Sequence, residues 1–510
     1  MKKKFIKYKS TNRFSKLIND YIKKDENLAS FYNLYPELNN FQFQFENKRN
    51  HKINRQLLVD VLFNQNDNIK LSELSKKNID SLKNTNTFTV TTGHQLCLFS
   101  GPLYCIYKIV STINLVKQLK IKYPDKNFVP IFWMASEDHD FEEINHINLF
   151  REKISWNTIQ KGPVGRIKLD SIDKIIDKIE SLTLNSKNSE PLIKIFKNSY
   201  LKNNNLSSAT RSLINQLFGE YGIVILDGDD KSLKKTFLPV IKKDLISNDY
   251  YKLILKSTEE LSKKYKTQAQ VKKTNFFLIS DGKREKINTV YSDDTISKIT
   301  EKFSPNVLMR PLYQESILPN IAYVGGGAEI SYWLQLKKVF DHEGIPFPIL
   351  LLRNSVLLLD KKQDEKIKKM GFDIKEFFDT ENNLLLHYTN KSIKKDFNLN
   401  EEKEKAILVF NSILNKYKDQ NLISFISAEQ KKLINSLNKI EKKIIKSKKI
   451  NHADNLKSIS LLKNKLFPQN KLQERHENFI PYYLKHGDNF IKILINELDP
   501  LNTNFVILTL

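Results

Sequence analysis

Residues 87–95 (TFTVTTGHQ), 100–104 (SGPLY) and 133–140 (WMASEDHD) decide the fold of this chain. Residues 87–92 are β-branched or aromatic with an alternating pattern, and residues 128–135 form a continuous apolar run, so both segments are typical of strands. Between them, apolar residues recur at helical spacing over 102–120. The pattern predicts a β-α-β unit with parallel strands. Ligands of open α/β sheets bind at the carboxyl edge, where both loops would lie.

A second unit of the same kind is predicted over residues 306–355. An apolar run leads to Arg310, and the strand-like residues 321–324 end in three consecutive glycines, Gly325 to Gly327. A helical pattern at about 328–343 and a buried-type strand at 346–352 follow. The fold class expected is α/β, with a Rossmann-like parallel-sheet core, inserted connecting segments and a helical coiled-coil hairpin.

The coiled coil is predicted from apolar residues spaced by four, three and four: Leu433, Leu437, Ile440 and Ile444. The pattern breaks near 448–454 and resumes at Leu456, which indicates two helices in a hairpin. Because a seam this short needs a partner, a homodimer through the coiled coil is expected. The predicted organisation is: 1–85, N-terminal helical part of the core; 86–150, first β-α-β unit; 151–302, inserted connecting segments; 303–399, second β-α-β unit; 400–466, coiled-coil hairpin; 467–510, C-terminal return to the core.

Composition narrows the class of protein. The chain has 510 residues, of which 40% are hydrophobic, and no stretch approaches the roughly 20 apolar residues that span a bilayer. The basic N-terminus has no apolar segment of the signal-peptide kind, so we expect a soluble cytoplasmic protein. Two cysteines, Cys97 and Cys105, exclude a disulfide framework and a cysteine-rich zinc site, and both are expected to be packing residues.

The net charge of +25 raises the possibility of a nucleic-acid-binding protein. Only ten of the 83 basic residues are Arg, and the lysines are dispersed along the chain. Nucleic-acid-binding surfaces concentrate Arg and aromatic residues on one face, so a solvated lysine-rich surface is the favoured interpretation. Since Arg is scarce, the Arg residues near predicted strand ends are of particular interest.

Acidic and imidazole side chains follow the strand at 128–135. Glu137, Asp138, His139 and Asp140 are adjacent, and Glu142, Glu143 and His146 come soon after. This cluster suits general acid–base chemistry, a divalent metal ion, or merely a capped helix with an acidic surface. On a continuous helix His139 and His146 would share a face.

Two further turns could bind an anion. Gly93-His94-Gln95 precedes a helix whose first turn would hold Pro102 at position N1, and His94 would either donate to an anion or cap the turn in solvent. The glycine turn at 325–327 could form an anion-binding nest, with Glu329 capping the next helix as the alternative. Arg310 and Arg353, at expected strand ends, would clamp carboxylates or form buried ion pairs.

Four segments together resemble the bacillithiol biosynthesis cysteine-adding enzyme family: TTGHQLCLFSGPLYCIYKI (91–109), VPIFWMASEDHDFEEINH (129–146), GGGAEISYW (325–333) and LQER (472–475). The resemblance covers the whole chain in matching order. It implies a Rossmann-like core with a dimerising coiled coil. It also implies amide formation between L-cysteine and the amine of glucosaminyl-malate, with ATP and Mg²⁺ activating the carboxyl and no tightly bound metal.

The resemblance also implies roles for side chains at the strand ends. The expected catalytic residues are Glu137, Asp138, His139 and Asp140, with Asp138 or His139 taking the proton from the attacking amine. The expected substrate- or nucleotide-binding residues are Gly93, His94, Gln95, Gly101, Tyr104, Lys108, Arg310, Tyr323, Gly325, Gly326, Gly327, Glu329, Tyr332 and Arg353. A metal-dependent hydrolase using the acidic cluster and a non-enzymatic nucleic-acid-binding protein are the alternatives.

Overall fold

The computed structural model describes residues 1–394 and 398–510, so residues 395–397 of the predicted segment 303–399 lie outside it. The chain forms two compact units. The larger unit comprises Lys4–Leu357 and Gln473–Ile507, and the smaller comprises Met1–Lys3, Leu358–Leu472 and Leu508–Leu510. The boundary between the two units thus falls after Leu357, inside the predicted segment 303–399. The chain returns to the larger unit at Gln473.

The strands, in chain order, are β1 (Lys2–Lys7), β2 (Thr87–His94), β3 (Asn127–Met134), β4 (His146–Leu149), β5 (Glu152–Ser155), β6 (Val224–Asp227), β7 (Phe276–Ser280), β8 (Lys283–Lys286), β9 (Phe303–Pro305), β10 (Asn320–Gly325), β11 (Ile349–Leu352), β12 (Val356–Leu359) and β13 (Asn504–Thr509).

The helices are α1 (Lys16–Ile22), α2 (Phe41–Arg49), α3 (Arg55–Gln65), α4 (Glu73–Ser81), α5 (Tyr104–Lys122), α6 (Phe141–Ile144), α7 (Ile172–Thr183), α8 (Ser189–Phe196), α9 (Leu206–Phe218), α10 (Lys231–Thr236), α11 (Leu238–Lys242), α12 (Asp249–Ser262), α13 (Asp293–Lys298), α14 (Arg310–Ile317), α15 (Gly327–Trp333), α16 (Lys337–Glu343), α17 (Lys361–Lys369), α18 (Glu381–Thr389), α19 (Asn400–Leu414), α20 (Gln420–Asn451), α21 (Ala453–Leu466), α22 (Ile480–His486) and α23 (Asn489–Glu497).

A five-stranded parallel sheet in the order β11-β10-β2-β3-β6 organises the larger unit. Every residue of β2 is buried, as expected for a strand covered on both faces. Phe88 and Phe128 lie in the apolar layer on one face, and Val129 and Trp133 lie in the layer on the other. Both predicted β-α-β units and the parallel α/β core are therefore confirmed.

Several predicted details differ from the structure. The N-terminus, predicted to be helical, begins with β1, which pairs with β13 in a three-stranded sheet with β12. Pro102 is not in the first turn of α5: it forms an isolated bridge with Asn478, and the helix starts at Tyr104. The predicted helix at 328–343 is divided into α15 and α16, because the chain turns at 334–336.

The hairpin of the smaller unit pairs different helices from those predicted. α20 has 32 residues, about 48 Å at 1.5 Å per residue. It packs against α19, and Lys403 of α19 forms an ion pair with Glu441. The break expected near 448–454 exists at His452, but α21 beyond it packs against α18. The prediction of the partner was wrong because the apolar seam shows only that α20 packs against another helix. The seam does not specify which helix that is.

Within the described parts of the chain, no helix combines the length and apolar character needed to cross a membrane.

Replacing Lys48 with Met should destabilise the larger unit, because its Nζ lies 3.3 Å from Glu315 Oε2 and both side chains are fully buried. Removing one partner of a buried ion pair costs about 3–5 kcal/mol. Urea unfolding would measure the loss. Lys16→Met is the matched control. The Lys16 side chain is 66% exposed, so its ion pair with Asp20 should contribute less than about 1 kcal/mol to the free energy of unfolding. Equal losses in the two variants would contradict the expectation.

Candidate active site at the carboxyl edge of the central sheet

The carboxyl ends of the five strands place the predicted site residues along one edge. In sheet order, the residues at or just beyond the strand ends are Arg353 after β11, Gly325 and Gly326 at β10, Gly93 to Gln95 at β2, Ser136 to Asp140 after β3, and Asp227 to Asp230 at β6. Parallel pairing of β2 with β3 runs through Gly93↔Trp133 and His94↔Met134. The two glycine turns and the acidic loop, which are far apart in sequence, thus belong to neighbouring strands.

Glu329 is the centre of the half of this edge formed by β2 and β10. Its Oε2 lies 2.7 Å from Lys108 Nζ and accepts the Gly326 N–H at 2.8 Å, and its Oε1 accepts the Tyr323 hydroxyl at 2.6 Å. Lys108 also donates to the Gly93 carbonyl. Burial alone would raise the pKa of Glu329, but Lys108 and these hydrogen bonds outweigh it and hold the pKa below its usual value. Glu329 therefore caps its own helix as an ionised group.

Arg310 and Tyr332 lie beside Glu329. Arg310 is the first residue of α14, so its predicted position at a strand end is wrong. Its Nη1 donates to Gln314 at 2.8 Å and its Nη2 to the Tyr332 hydroxyl at 3.3 Å, and the guanidinium lies 5.4 Å from the Tyr323 ring centre. Arg310 is thus a second cation next to the Glu329 cluster, and no carboxylate of the described residues lies in hydrogen-bond contact with it.

Arg353 forms a buried ion pair, as one of its two interpretations predicted. Its Nη2 and Nη1 donate to the two carboxylate oxygens of Glu474 at 2.8 and 3.1 Å, and Glu474 also accepts the Val356 N–H at 3.0 Å. Glu474 lies in the LQER segment, although sequence reasoning did not place it in the site. Arg353 Nε is buried without a hydrogen-bond partner among the described residues. Buried donors are normally paired, so this N–H is available to a ligand.

His94 is buried against Tyr104, with ring centres 5.2 Å apart, so the interpretation as a solvated cap is wrong. Burial, followed by the nearby Lys108 charge, lowers the pKa of His94 to about 3, and the imidazole is neutral. Within the described ranges, its Nε2 also has no partner. The Tyr104 ring lies 5.3 Å from the Arg353 guanidinium, which places Tyr104 in contact with both residues.

Gly101 and the two cysteines support the loop that follows β2. Gly101 has φ +63°, and a Cβ there would lie 2.5 Å from Cys97 Cβ, so only glycine fits. Both thiols are buried, as predicted, and burial raises the pKa of Cys97 to about 12. These residues shape the turn that carries His94 and Tyr104.

Gln95 connects the loop after β2 to the acidic loop after β3. Its Nε2 donates to Asp138 Oδ2 at 2.8 Å and to Glu143 Oε2 at 2.9 Å. Asp138 Oδ1 accepts the His139 N–H at 2.8 Å. The structure therefore brings together Gln95 and Asp138, which the sequence separates by 43 residues.

The remaining acidic residues have other surroundings. Glu137 forms an ion pair with the buried Lys234 at 2.6 Å, and Lys234 also contacts Asp229 at 2.7 Å. Burial would lower the pKa of Lys234, but Glu137 and Asp229 together raise it, so the lysine is charged. Arg166 holds Asp229 with two hydrogen bonds of 2.9 and 3.0 Å. Glu137 is thus part of a neutralised buried network.

The two histidines of the acidic segment do not share a helix. His139 precedes the short α6 and His146 begins β4, so the prediction of one helical face is wrong. Asp140 is exposed and its side chain does not cap α6. His139 Nδ1 instead lies 3.1 Å from Arg284 Nη1. In residues 1–394 and 398–510, no group of three or more His, Cys, Asp or Glu side chains is arranged to hold a metal ion.

Sequence reasoning missed Lys234, Asp229, Arg166, Arg284 and Glu474. The scarcity of Arg that drew attention to Arg310 and Arg353 applies equally to Arg166 and Arg284, which could have been found by that signal. Asp229 lies in the acidic turn of residues 222–230 (GIVILDGDD), which has a strand-and-loop pattern. Lys234 is one of 73 lysines, and composition gives no means of selecting it.

Comparison with known proteins identifies the same architecture along the whole chain. The family model described as "Bacillithiol biosynthesis BshC, N-terminal Rossmann-like domain" matches residues 1–354, and the model described as "Bacillithiol biosynthesis BshC, C-terminal coiled-coil domain" matches residues 356–510. A Flavobacterium johnsoniae protein named "Putative cysteine ligase BshC" is 44% identical over 99% of both chains. Proteins of the same name from Flavobacterium psychrophilum and Christiangramia forsetii are 44% and 40% identical, each over 99% of this chain and 98% of theirs.

Replacing Glu329 with Gln should destabilise the protein by about 3–5 kcal/mol at neutral pH, because Lys108 would be left buried without its carboxylate. The contribution of Glu329 is complete above its unfolded pKa, about 4.3, and is lost as pH falls through its lower folded pKa. Urea unfolding at several pH values should therefore show that the difference in the free energy of unfolding between wild type and variant becomes smaller in acid. Asp341→Asn, at a carboxylate that is 57% exposed, is the control and should change little. A difference in the free energy of unfolding that stays constant from pH 7 to acid would contradict the stabilising role of ionised Glu329.

Proposed function

The chain belongs to the bacillithiol biosynthesis BshC family, and on that premise we propose that it is a cysteine ligase that joins L-cysteine to the amine of glucosaminyl-malate through an amide bond. The ligase assignment follows from the names of relatives that match along nearly the whole chain. The substrates and the bond formed extend that assignment and are supported by the chemistry of the candidate site.

The observation that carries the proposal is the separation of free donors from carboxylates along the sheet edge. In the part formed by β2, β10 and β11, Glu329 and Glu474 neutralise Lys108 and Arg353, and the groups left over are Arg310 and Arg353 Nε, which has no partner among the described residues. Asp138 and Glu143 line the part beyond β3. An amide-forming enzyme must bind a carboxyl group and an amine side by side. The donors of the first part suit the carboxyl, and the carboxylates of the second part suit the amine.

A carboxylate is a poor electrophile, so the cysteine carboxyl must be activated before the amine attacks. We propose ATP with Mg²⁺ as the activating reagent; when bound, it supplies the leaving group that makes the acyl carbon reactive. The chain has no GxxxxGK[ST] phosphate-binding loop. The donors that fit anionic oxygens are Arg353 Nε and the backbone of the Gly326–Gly327 turn, although the Gly326 N–H is already bonded to Glu329. His94 Nε2 donates to the same oxygen in the tautomer that carries the ring proton on Nε2.

Asp138 is the proposed acceptor of the amine proton. Gln95 and the His139 N–H hold its carboxylate in a fixed position, and the side chain is 31% exposed, so a substrate can reach it. Glu137 is less suited, because Lys234 already neutralises it in a buried pair. The proposed base therefore lies at the acidic part of the edge, where the amine would bind.

Purified protein incubated with L-cysteine, glucosaminyl-malate, ATP and Mg²⁺ should form the amide product, which mass spectrometry detects as the condensed mass. Omitting any one component should abolish it. Product formed without ATP would overturn the activation step but not the ligase assignment. A folded protein that forms no product with the complete mixture would contradict the proposed function.

Asp138→Asn should reduce the rate of product formation by about 10²–10⁴-fold, because the amide cannot accept the proton. Glu142→Gln is the matched control: Glu142 is an exposed carboxylate of α6, directly after the acidic loop, and lies outside the Gln95 hydrogen bonds. Initial rates of product formation would be compared between the two variants and the wild type, and circular dichroism would verify that each variant is folded. A full rate for Asp138→Asn would exclude Asp138 as the base.

The coiled-coil hairpin is the proposed dimer contact. Large apolar side chains on α19 and α20 are exposed, among them Leu408 (66%), Val409 (59%), Phe425 (64%) and Ile440 (50%). Exposed apolar side chains concentrated on one element mark interaction surfaces, and most soluble oligomers are symmetric dimers. A second copy of the same hairpin is the proposed partner.

The double substitution Leu433→Glu and Ile440→Glu should convert the dimer into a monomer, because charges would be buried in an apolar seam. Light scattering after size-exclusion chromatography reports the mass directly. Leu386→Glu on α18, where the side chain is 55% exposed, is the control and should leave the mass unchanged. A wild-type monomer at micromolar concentration would refute the proposed assembly.

A further inference from the structure

Arg284 reaches the acidic loop from a separate part of the fold. It lies on β8, which forms an antiparallel sheet with β7 and β9 in the order β8-β7-β9. Its Nε donates to Ser304 Oγ and its Nη2 to the Pro305 carbonyl, both at 2.9 Å. The guanidinium also lies over the Phe277 ring at 4.0 Å. These contacts fix its plane and direct the remaining nitrogen, Nη1, to His139 Nδ1 at 3.1 Å.

The Arg284 contact determines where His139 carries its proton. A guanidinium has only donors, so His139 Nδ1 must accept this hydrogen bond. The imidazole is then neutral, with its proton on Nε2. The competing partner of Nδ1 is Asp138 Oδ1 at 3.7 Å, which would require a proton on Nδ1 and already accepts the His139 N–H. The observed contact excludes that arrangement.

The surrounding backbone holds the β7–β8 hairpin against the acidic loop. Gly162 has φ +103°, and a Cβ there would lie 1.8 Å from the Gly282 carbonyl oxygen in the β7–β8 turn. Two residues later, the Val164 N–H donates to the Asp138 carbonyl at 2.7 Å. One short loop thus contacts both the hairpin that carries Arg284 and the loop that carries His139, so the Arg284–His139 contact is built into the fold.

We propose that Arg284 is a positioning residue that keeps His139 as the neutral Nε2–H tautomer, so that His139 acts as a hydrogen-bond donor and not as the base. This rests on the proposed function. In the ligase reaction the amine nitrogen forms a bond to the acyl carbon, the bond to the leaving group breaks, and the amine proton passes to Asp138. His139 keeps its proton and donates Nε2–H to the oxygen that becomes negative in the transition state.

The tautomer can be measured without substrate. Long-range ¹H–¹⁵N correlation spectra of ¹⁵N-histidine-labelled protein distinguish a protonated from an unprotonated ring nitrogen, and His139→Ala identifies the His139 signals among those of nine histidines. The wild type should show Nδ1 unprotonated and Nε2 protonated, and Arg284→Met should lose this single tautomer. Lys283→Met, at an exposed neighbour on the same strand, should retain it. A wild-type Nδ1–H signal, or an unchanged tautomer in Arg284→Met, would overturn the proposal.

Activity adds an independent measurement. His139→Ala should lower kcat by about 10²-fold, as expected for loss of one donor to a developing oxyanion, with a smaller effect on KM. Arg284→Met should also lower kcat. The double variant Arg284→Met with His139→Ala should have nearly the same kcat as His139→Ala alone. Arg284→Lys, which keeps a donor, should have a higher kcat than Arg284→Met. Additive losses would show that Arg284 acts independently of His139. If Arg284→Met fails to fold, the wild-type tautomer still tests the proposal, because a proton on Nδ1 would overturn it. A wild type without ligase activity refutes the proposed function while the tautomer result stands.

Discussion

Parallel pairing of β2 with β3 and β10 is the constraint on which the candidate site depends. Parallel strands end at the same edge, so the chain must bring the turn at Gly93, the turn at Gly325 and the acidic loop after Met134 side by side. The observed register pairs Gly93 with Trp133 and His94 with Met134 at the ends of β2 and β3. The distances at the edge, such as 2.8 Å between Gln95 Nε2 and Asp138 Oδ2, follow from that register.

Charge neutralisation is the second organising feature. Glu329 neutralises Lys108, Glu474 neutralises Arg353, and Glu137 and Asp229 together neutralise Lys234. Isolated buried charges would cost several kcal/mol each, so these partners hold the cations in place without a ligand. These networks do not use Arg353 Nε, His94 Nε2 or the carboxylate of Asp138, which are the groups that the proposed function assigns to the substrate.

Residues between the two β-α-β units contribute a strand of the central sheet, β6, and two arginines that contact its edge. Arg166 and Arg284 come from regions between the two β-α-β units, and each contacts a residue of the sheet edge, Asp229 and His139 respectively. The edge of the sheet supplies the backbone turns and carboxylates, and the insertions supply cations that orient them. The site is therefore assembled from distant parts of one folded unit.

The sequence by itself determined the parallel α/β core, the glycine turns and acidic loop at its strand ends, and the family resemblance, because buried strands and glycine turns have local composition that can be recognised without tertiary information. It also placed Glu329 as a helix cap, since capping is a local interaction. Only the tertiary structure decided the partners: Glu474 for Arg353, Lys234 for Glu137, Arg284 for His139, and α19 rather than α21 for α20. Each of these contacts joins residues that are far apart in the sequence. Local spacing cannot select one partner among the many residues of suitable chemistry, and only the packing of the folded chain does.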